Sequence, residues 1–289
     1  YNENLRTHNL IHLGNKGFNL MVLVGDGKPV PPAFIITTEI FRCWRAVQSF
    51  KRAREEFMQQ VRGAITNLEE QVDRIFGSPK HPLLLSVRSG SAMSMPGMMT
   101  TIHNVGLNEE LVEEQVANHP EKKYFLWDNY RRFLQSWAMA GGVEREEFQE
   151  IMNAHKQQHE VKLKREFSAD QMRELALDYQ AALRKRGCSA PEDPWLQLIG
   201  AVEMVLSSWN TTKATQYRNL MDVSDDWGTA VIVQSMVYGN ISQQSGTGVV
   251  FTHNPRWSGD TLKLWGDFTI GNQGEDVVSG LVKTMPISI

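Results

Sequence analysis

The run Leu83-Leu84-Leu85 passes directly into Ser86-Val87-Arg88-Ser89-Gly90-Ser91-Ala92-Met93-Ser94-Met95-Pro96-Gly97-Met98-Met99, and no other stretch constrains the fold as much. Short apolar runs cut off by glycine and serine form buried strands. One arginine therefore stands at the end of a strand, with almost no other charge around it. Its guanidinium is planar and always charged, so it requires a carboxylate or a phosphate wherever water is partly excluded. For this segment alone, a structural ion pair at a strand end is the simpler of the two.

A second cation bracketed by small residues shifts that balance. In Leu13-Gly14-Asn15-Lys16-Gly17-Phe18-Asn19-Leu20 the glycines let backbone approach a ligand closely. The apolar residues from Phe18 to Val24 predict a helix beginning at Lys16, whose first N–H groups can face a phosphate. Each charge-assisted hydrogen bond contributes about 1.5–3 kcal/mol. Two cations and a helix start could hold a polyphosphate.

A chain of 289 residues exceeds one compact core and predicts two or three subdomains. With 41% hydrophobic and 22% charged residues it can bury a core and stay in solution. A net charge of −3 gives no global attraction to nucleic acid, so phosphate binding must come from local cations. Cys43 and Cys188 are the only cysteines, too few for a disulfide framework and outside metal-ligand spacing, which fits a reducing, cytoplasmic compartment. No apolar run is long enough to cross a membrane, and no signal-peptide pattern follows Tyr1. The missing initiator Met reads as a fragment, a processed form or the ordered part of a longer chain.

Along the chain, the first hundred residues predict a strand around Phe34 to Ile36, two amphipathic helices before Phe76, and the strand ending at Arg88. From Asn108 to about Gly187 the periodicity is helical. Ser168 with Gln171 forms a capping box, Met172, Leu175, Ala176, Tyr179 and Leu183 line one face, and Gly187 ends that helix. Lys162, Lys164 and Arg165 read as a solvated face. Helices over Leu196 to Trp209 and Thr212 to Leu220 lead to the turn-like Asp225-Asp226-Trp227-Gly228, after which strands are expected over Val231 to Val237, Gly246 to Thr252 and Leu262 to Ile270. The histidines, His8, His12, His81, His103, His119, His155, His159 and His253, read as scattered singly.

Seven segments occur in a telling order: Gly14 to Leu20, Pro29-Val30-Pro31-Pro32-Ala33-Phe34, Ser86 to Met99, Asp225 to Val231, Ser245-Gly246-Thr247-Gly248-Val249, Phe251-Thr252-His253-Asn254-Pro255, and Asn272-Gln273-Gly274-Glu275-Asp276-Val277-Val278. Together they resemble the N-terminal ATP-grasp nucleotide-binding region of the pyruvate phosphate dikinases, over almost the whole chain. The Ser-Met-Pro-Gly-Met-Met and Gln-Gly-Glu-Asp-Val-Val strings are specific, and phosphoenolpyruvate synthases resemble them less well. The resemblance implies an α+β, ATP-grasp-like fold, with two α+β lobes around a nucleotide cleft and a helical insert. The first lobe would be 1–107, the insert 108–187, helices completing the first lobe 188–226, and the second lobe 227–289.

It also implies roles. Lys16 and Arg88 would hold phosphates, the backbone of Gln234, Ser235, Met236 and Val237 would meet the adenine edge, and Asp267 with Gln273 would bind Mg2+. Taken by composition alone, 234–237 is simply a core strand and Asp267 an exposed edge residue. The chain departs from the family in ways that weaken transition-state stabilisation more than ATP binding. Asp267 replaces a glutamate, Thr100 an aspartate and His253 an arginine, and Val282 and Lys283 stand near a missing arginine; Lys283 offers only a point charge.

The implied activity is phosphotransfer: ATP gives its β-phosphoryl group to a histidine on a separate carrier domain, with inorganic phosphate as co-substrate. A further domain would pass it to pyruvate to make phosphoenolpyruvate. Neither domain is expected in this chain. No nucleic-acid or membrane partner is expected, and the oligomeric state stays open, a homodimer included. The alternatives are a degenerate nucleotide-sensing or partner-binding module and a dikinase with another acceptor.

Overall fold

Gly14 shapes the first element. Inside α1 (Leu10–Gly25) it adopts φ 69° and ψ 163°, so the helix restarts at Asn15. A Cβ at this position would lie 1.8 Å from the Gly90 carbonyl oxygen, and glycine alone tolerates both that approach and that φ. The computed structural model describes residues 10–242, 244–253, 264–278, 280 and 282–288. His8, Asn254, Pro255 and the start of the strand expected from Leu262 lie outside the described residues.

The chain continues through β1 (Ala33–Ile36), α2 (Thr38–Ser49), α3 (Lys51–Val72), the two-residue strands β2 (Ile75–Phe76) and β3 (Pro82–Leu83), β4 (Leu85–Gly90) and β5 (Thr101–Val105). Helices α4 (Glu109–Asn118), α5 (Lys123–Ala140), α6 (Arg145–Gln158), α7 (Ala169–Arg186), α8 (Pro194–Ser207) and α9 (Thr212–Leu220) follow. Then come β6 (Ala230–Ser235), β7 (Gly246–Phe251), β8 (Trp265–Ile270), α10 (Gly274–Val278) and β9 (Met285–Ser288). The protein is thus mixed α and β, in two units, Tyr1–Met236 and Val237–Ile289.

In the first unit an antiparallel sheet has the order β1-β6-β4-β5. Strand β6 lies in its middle, away from the strands that follow it in sequence, because Ala230 to Ser235 is buried along its whole length. A strand apolar on both faces belongs inside a sheet. The sequence reading missed β5, whose Asn104 is a poor strand former. Asn104 takes φ 58° beside a register shift in the β4–β5 ladder, and its buried side chain donates to the Asn129 carbonyl at 3.1 Å.

The apolar core runs without a break from Val87, Ile102 and Val231 of the sheet into Trp127, Phe133, Leu175 and Val205 of the helices. The stretch 108–187 is therefore continuous with the first unit's core. Each such side chain contributes roughly 1.5–3 kcal/mol on burial. The Ser168–Gln171 capping box forms, and Gly187 closes α7 at φ 68°.

The charges on this helical layer are not all solvated. Asp128 of α5 is 2% exposed and accepts from Arg131 at 2.8 and 2.9 Å, Arg132 at 3.0 Å and Lys164 at 2.9 and 3.0 Å. Lys164 thus corrects the reading of 162–165 as a solvated face: a buried carboxylate draws it inward. Burial opposes ionisation of Asp128, but Arg132, Lys164 and Arg131 outweigh it and hold the carboxyl well below the usual carboxylate range.

The second unit carries the antiparallel sheet β7-β8-β9, with Val249 opposite Asp267 and Asp267 opposite Pro286. Among the described residues no helix is long and apolar enough to cross a membrane.

Candidate functional site

The close approach of Gly14 to Gly90 brings Lys16 and Arg88 together. Asn15 N–H donates to the Ser91 carbonyl at 2.8 Å, which ties the restarted helix α1 to the exit of β4. Lys16 keeps an open outer surface while its Nζ reaches back to the Ser89 carbonyl at 3.3 Å. The ammonium is partly desolvated against the sheet, and this, together with the charge of Arg88, lowers its pKa below the usual lysine value. Arg88 is half-buried, and desolvation lowers its pKa as well.

What stands opposite Arg88 is neutral. Its Nη2 donates to Gln234 Oε1, and the Gln234 amide is fixed in turn by donating Nε2 to the Pro31 carbonyl at 2.8 Å. Arg88 Nε is buried with no hydrogen-bond partner. Among the described residues neither Arg88 nor Lys16 pairs with a carboxylate, so the structural ion pair, the simpler expectation for the segment alone, does not form there. Two neighbouring cations thus stand without a counter-charge, one of them with a buried donor left unused.

The methionine-rich loop after β4 is held by packing. Met95 is buried with Trp209, Ala214 and Val223, and Met93, Met98 and Met99 pack against that cluster. Thr100 donates its N–H to Ser208 Oγ at 3.4 Å.

Of the residues expected at the adenine edge, Gln234, Ser235 and Met236 lie in the first unit and Val237 in the second. Ser235 N–H donates to the Pro32 carbonyl at 3.0 Å and Met236 N–H to the Leu84 carbonyl at 2.9 Å. Those two amides are therefore engaged within the protein. The part of Gln234 that sequence reading missed is its side chain, which orients Arg88.

In the second unit, Asp267 on β8 accepts from Thr284 Oγ1 through Oδ1 at 3.1 Å. Gln273 precedes α10 and uses both ends of its amide: Oε1 accepts from Gly239 N–H at 2.8 Å and Nε2 donates to the Val237 carbonyl at 2.8 Å. Its N–H donates to Asp276 Oδ2 at 3.1 Å. Gln273 thus braces the 237–239 segment. Among the described residues no contact joins Asp267 to Gln273. His253 and Lys283 are exposed.

The first unit thus sets an uncompensated pair of cations at a glycine-rich junction of a mixed α and β domain. The family described as "Pyruvate phosphate dikinase, AMP/ATP-binding domain" matches residues 45–286, a range that includes Arg88, Gln234, Asp267 and Gln273 and begins after Lys16. The chain is 42% identical over 279 residues to pyruvate, phosphate dikinase of Clostridium symbiosum, covering 96% of this chain and 31% of that protein. It is 41% identical over 271 residues to the Rhizobium meliloti protein of the same name, covering 93% and 30%. It is 40% identical over 271 residues to the chloroplastic pyruvate, phosphate dikinase of Mesembryanthemum crystallinum, covering 93% and 28%. The chain belongs to the pyruvate phosphate dikinase AMP/ATP-binding domain family, and it spans about a third of the length of these relatives.

Proposed function

We propose that this chain binds Mg–ATP and transfers its β-phosphoryl group to a histidine on a separate carrier domain, as the nucleotide-binding portion of a cytoplasmic pyruvate phosphate dikinase-like phosphotransferase. The observation that carries the reading is the pair Lys16 and Arg88, two cations with no carboxylate opposite them. A polyphosphate supplies the missing charge. Phosphoryl transfer asks the protein for cations and alignment more than for covalent chemistry.

In this reading Arg88 and Lys16 grip phosphate oxygens, and Gln234 keeps the Arg88 fork aimed by holding one Nη in place. The γ-phosphoryl passes to inorganic phosphate, giving pyrophosphate; the β-phosphoryl passes to the histidine, and AMP leaves. The histidine and the site that makes phosphoenolpyruvate from pyruvate belong to other domains. Of the 234–237 backbone, Val237, the most exposed of the four, meets the adenine edge, since the Ser235 and Met236 amides are engaged within the protein.

Asp267 and Gln273 present carboxylate and amide oxygens, the hard donors that magnesium takes alongside waters and phosphate oxygens. The Asp267 carboxylate has one oxygen on Thr284 and a second to offer, and Gln273 Oε1 has a lone pair beyond the one Gly239 uses. Bound there, the ion would neutralise charge on phosphate oxygens.

Calorimetric titration of the chain with ATP, with and without magnesium, tests the reading, repeated with Lys16→Met and Asp267→Ala. Magnesium-dependent binding that weakens severalfold or more in each variant is the expected result. A folded chain that takes up no ATP overturns it in favour of a partner-binding module.

A further inference from the structure

The histidines are not all single. His155 near the end of α6 and His159 at its C-cap are one turn apart, with ring centroids 5.8 Å apart. One ring nitrogen of each, together with a carboxylate oxygen of Glu174 on α7, lie within 4.8 Å of one another. We propose that these three side chains bind a divalent first-row transition ion, zinc by preference, with Asp178 as the residue that orients His155.

Hydrogen bonding around the rings supports this. His155 is 5% exposed, its Nε2 is 2.8 Å from Asp178 Oδ2, and its Nδ1 is buried with no hydrogen-bond partner. A carboxylate on one ring nitrogen fixes the tautomer and leaves the other nitrogen's lone pair for a metal, the usual outer-sphere support of a metal-bound histidine. His159 Nε2 is likewise buried without a hydrogen bond, although Glu174 Oε2 is 3.4 Å away. That spacing matches the edge of a tetrahedron with metal–ligand bonds of about 2.0–2.1 Å, roughly 3.4 Å. Two orphaned imidazole nitrogens at one place are a cost that ordinary helix packing removes.

The rest of the surroundings fit. Glu174 and Asp178 are also one turn apart, so two adjacent turns of α6 face two of α7, and Phe167 closes on His159 edge-on at 6.1 Å. Glu174 is exposed, which gives an ion a way in from solvent. Two imidazoles and a carboxylate, with water as a fourth ligand, suit zinc, copper, nickel or cobalt and do not suit magnesium, which prefers oxygen throughout. Nothing in the phosphoryl-transfer reading uses these residues, so the two proposals stand independently.

The test uses the whole chain, stripped with EDTA and reloaded with zinc. Metal retained after gel filtration is counted by mass spectrometry, thermal unfolding is followed with and without zinc, and cobalt(II) reports geometry by its visible absorption. The expected result is about one zinc per chain, a higher Tm with zinc and a tetrahedral cobalt spectrum. His159→Gln should weaken zinc at least about tenfold, and Glu174→Gln severalfold. Should His159→Gln fail to fold, Glu174→Gln, at an exposed position, decides. Absence of retention and Tm shift in the folded wild type overturns the site, as does retention unchanged in Glu174→Gln, which would place the zinc elsewhere.

Discussion

Two groups of cations in the first unit differ in what stands opposite them. Arg131, Arg132 and Lys164 all reach one buried carboxylate, Asp128, at 2.8 to 3.0 Å. Lys16 and Arg88 reach a carbonyl and an amide, which are neutral. The same residue types therefore do opposite work. Around Asp128 the charge is satisfied from within and fastens α5 to the segment before α7; at Lys16 and Arg88 no carboxylate of the described residues answers it, and under the proposed function a phosphate does.

Removing Asp128 should produce the largest effect, because it strands three cations around a buried position. Asp128→Asn should cost about 3–5 kcal/mol, and at about 2–4 °C per kcal/mol for a unit of this size the Tm should fall by roughly 6–20 °C. A Tm within a few degrees of wild type would break the comparison, since the cluster would then be no more structural than the Lys16 pair. The pH dependence has a definite sign. The folded carboxyl titrates well below its unfolded value of about 3.9, so its contribution is complete above that value. It is lost as pH falls from there through the depressed folded value, which acid titration of thermal stability would follow.

Arg88→Met should behave in the opposite way. It removes a desolvated cation beside another cation, so the Tm should stay near wild type. If the proposed phosphate contact exists, ATP affinity should fall by about 10- to 100-fold, the equivalent of roughly 1.5–3 kcal/mol. A variant that loses Tm and keeps ATP affinity would make Arg88 a structural residue like Arg131.

The sequence showed parts of this contrast and concealed others for definite reasons. Glycines on either side flagged Lys16, the serine and glycine after an apolar strand flagged Arg88, and the Ser168 and Gly187 helix boundaries were legible because caps are local. The absence of a carboxylate opposite Arg88 was not legible: it depends on β6 lying beside β4, which brings Gln234 there from 146 positions away. Strand β5 was hidden by Asn104, which is in the sheet only because the ladder is irregular at that point. The His155–His159 pair is a helical i, i+4 repeat that was open to view. It passed unnoticed because its carboxylate partners come from α7, and pairing between helices leaves no periodic trace in either one.

Lys164→Met offers the smallest and sharpest test of the comparison. By periodicity Lys164 is interchangeable with Lys162, and by structure it is not: its side chain is 24% exposed and its ammonium lies 2.9 Å from Asp128 Oδ2. Arg131 and Arg132 remain on the carboxylate when it is removed, so the loss should be about 1–2 kcal/mol, less than for Asp128→Asn. The Asp128 carboxyl should also titrate closer to its ordinary value, so acid unfolding should begin at a higher pH than in wild type. Lys162→Met, on an exposed residue, should move neither quantity, and ATP affinity should be the same in both variants. Equal acid profiles for the two would return Lys164 to the solvated face and leave the arginines alone to hold Asp128. A displaced profile for Lys164→Met alone would show that a lysine on a polar helical stretch is structural when a buried carboxylate faces it.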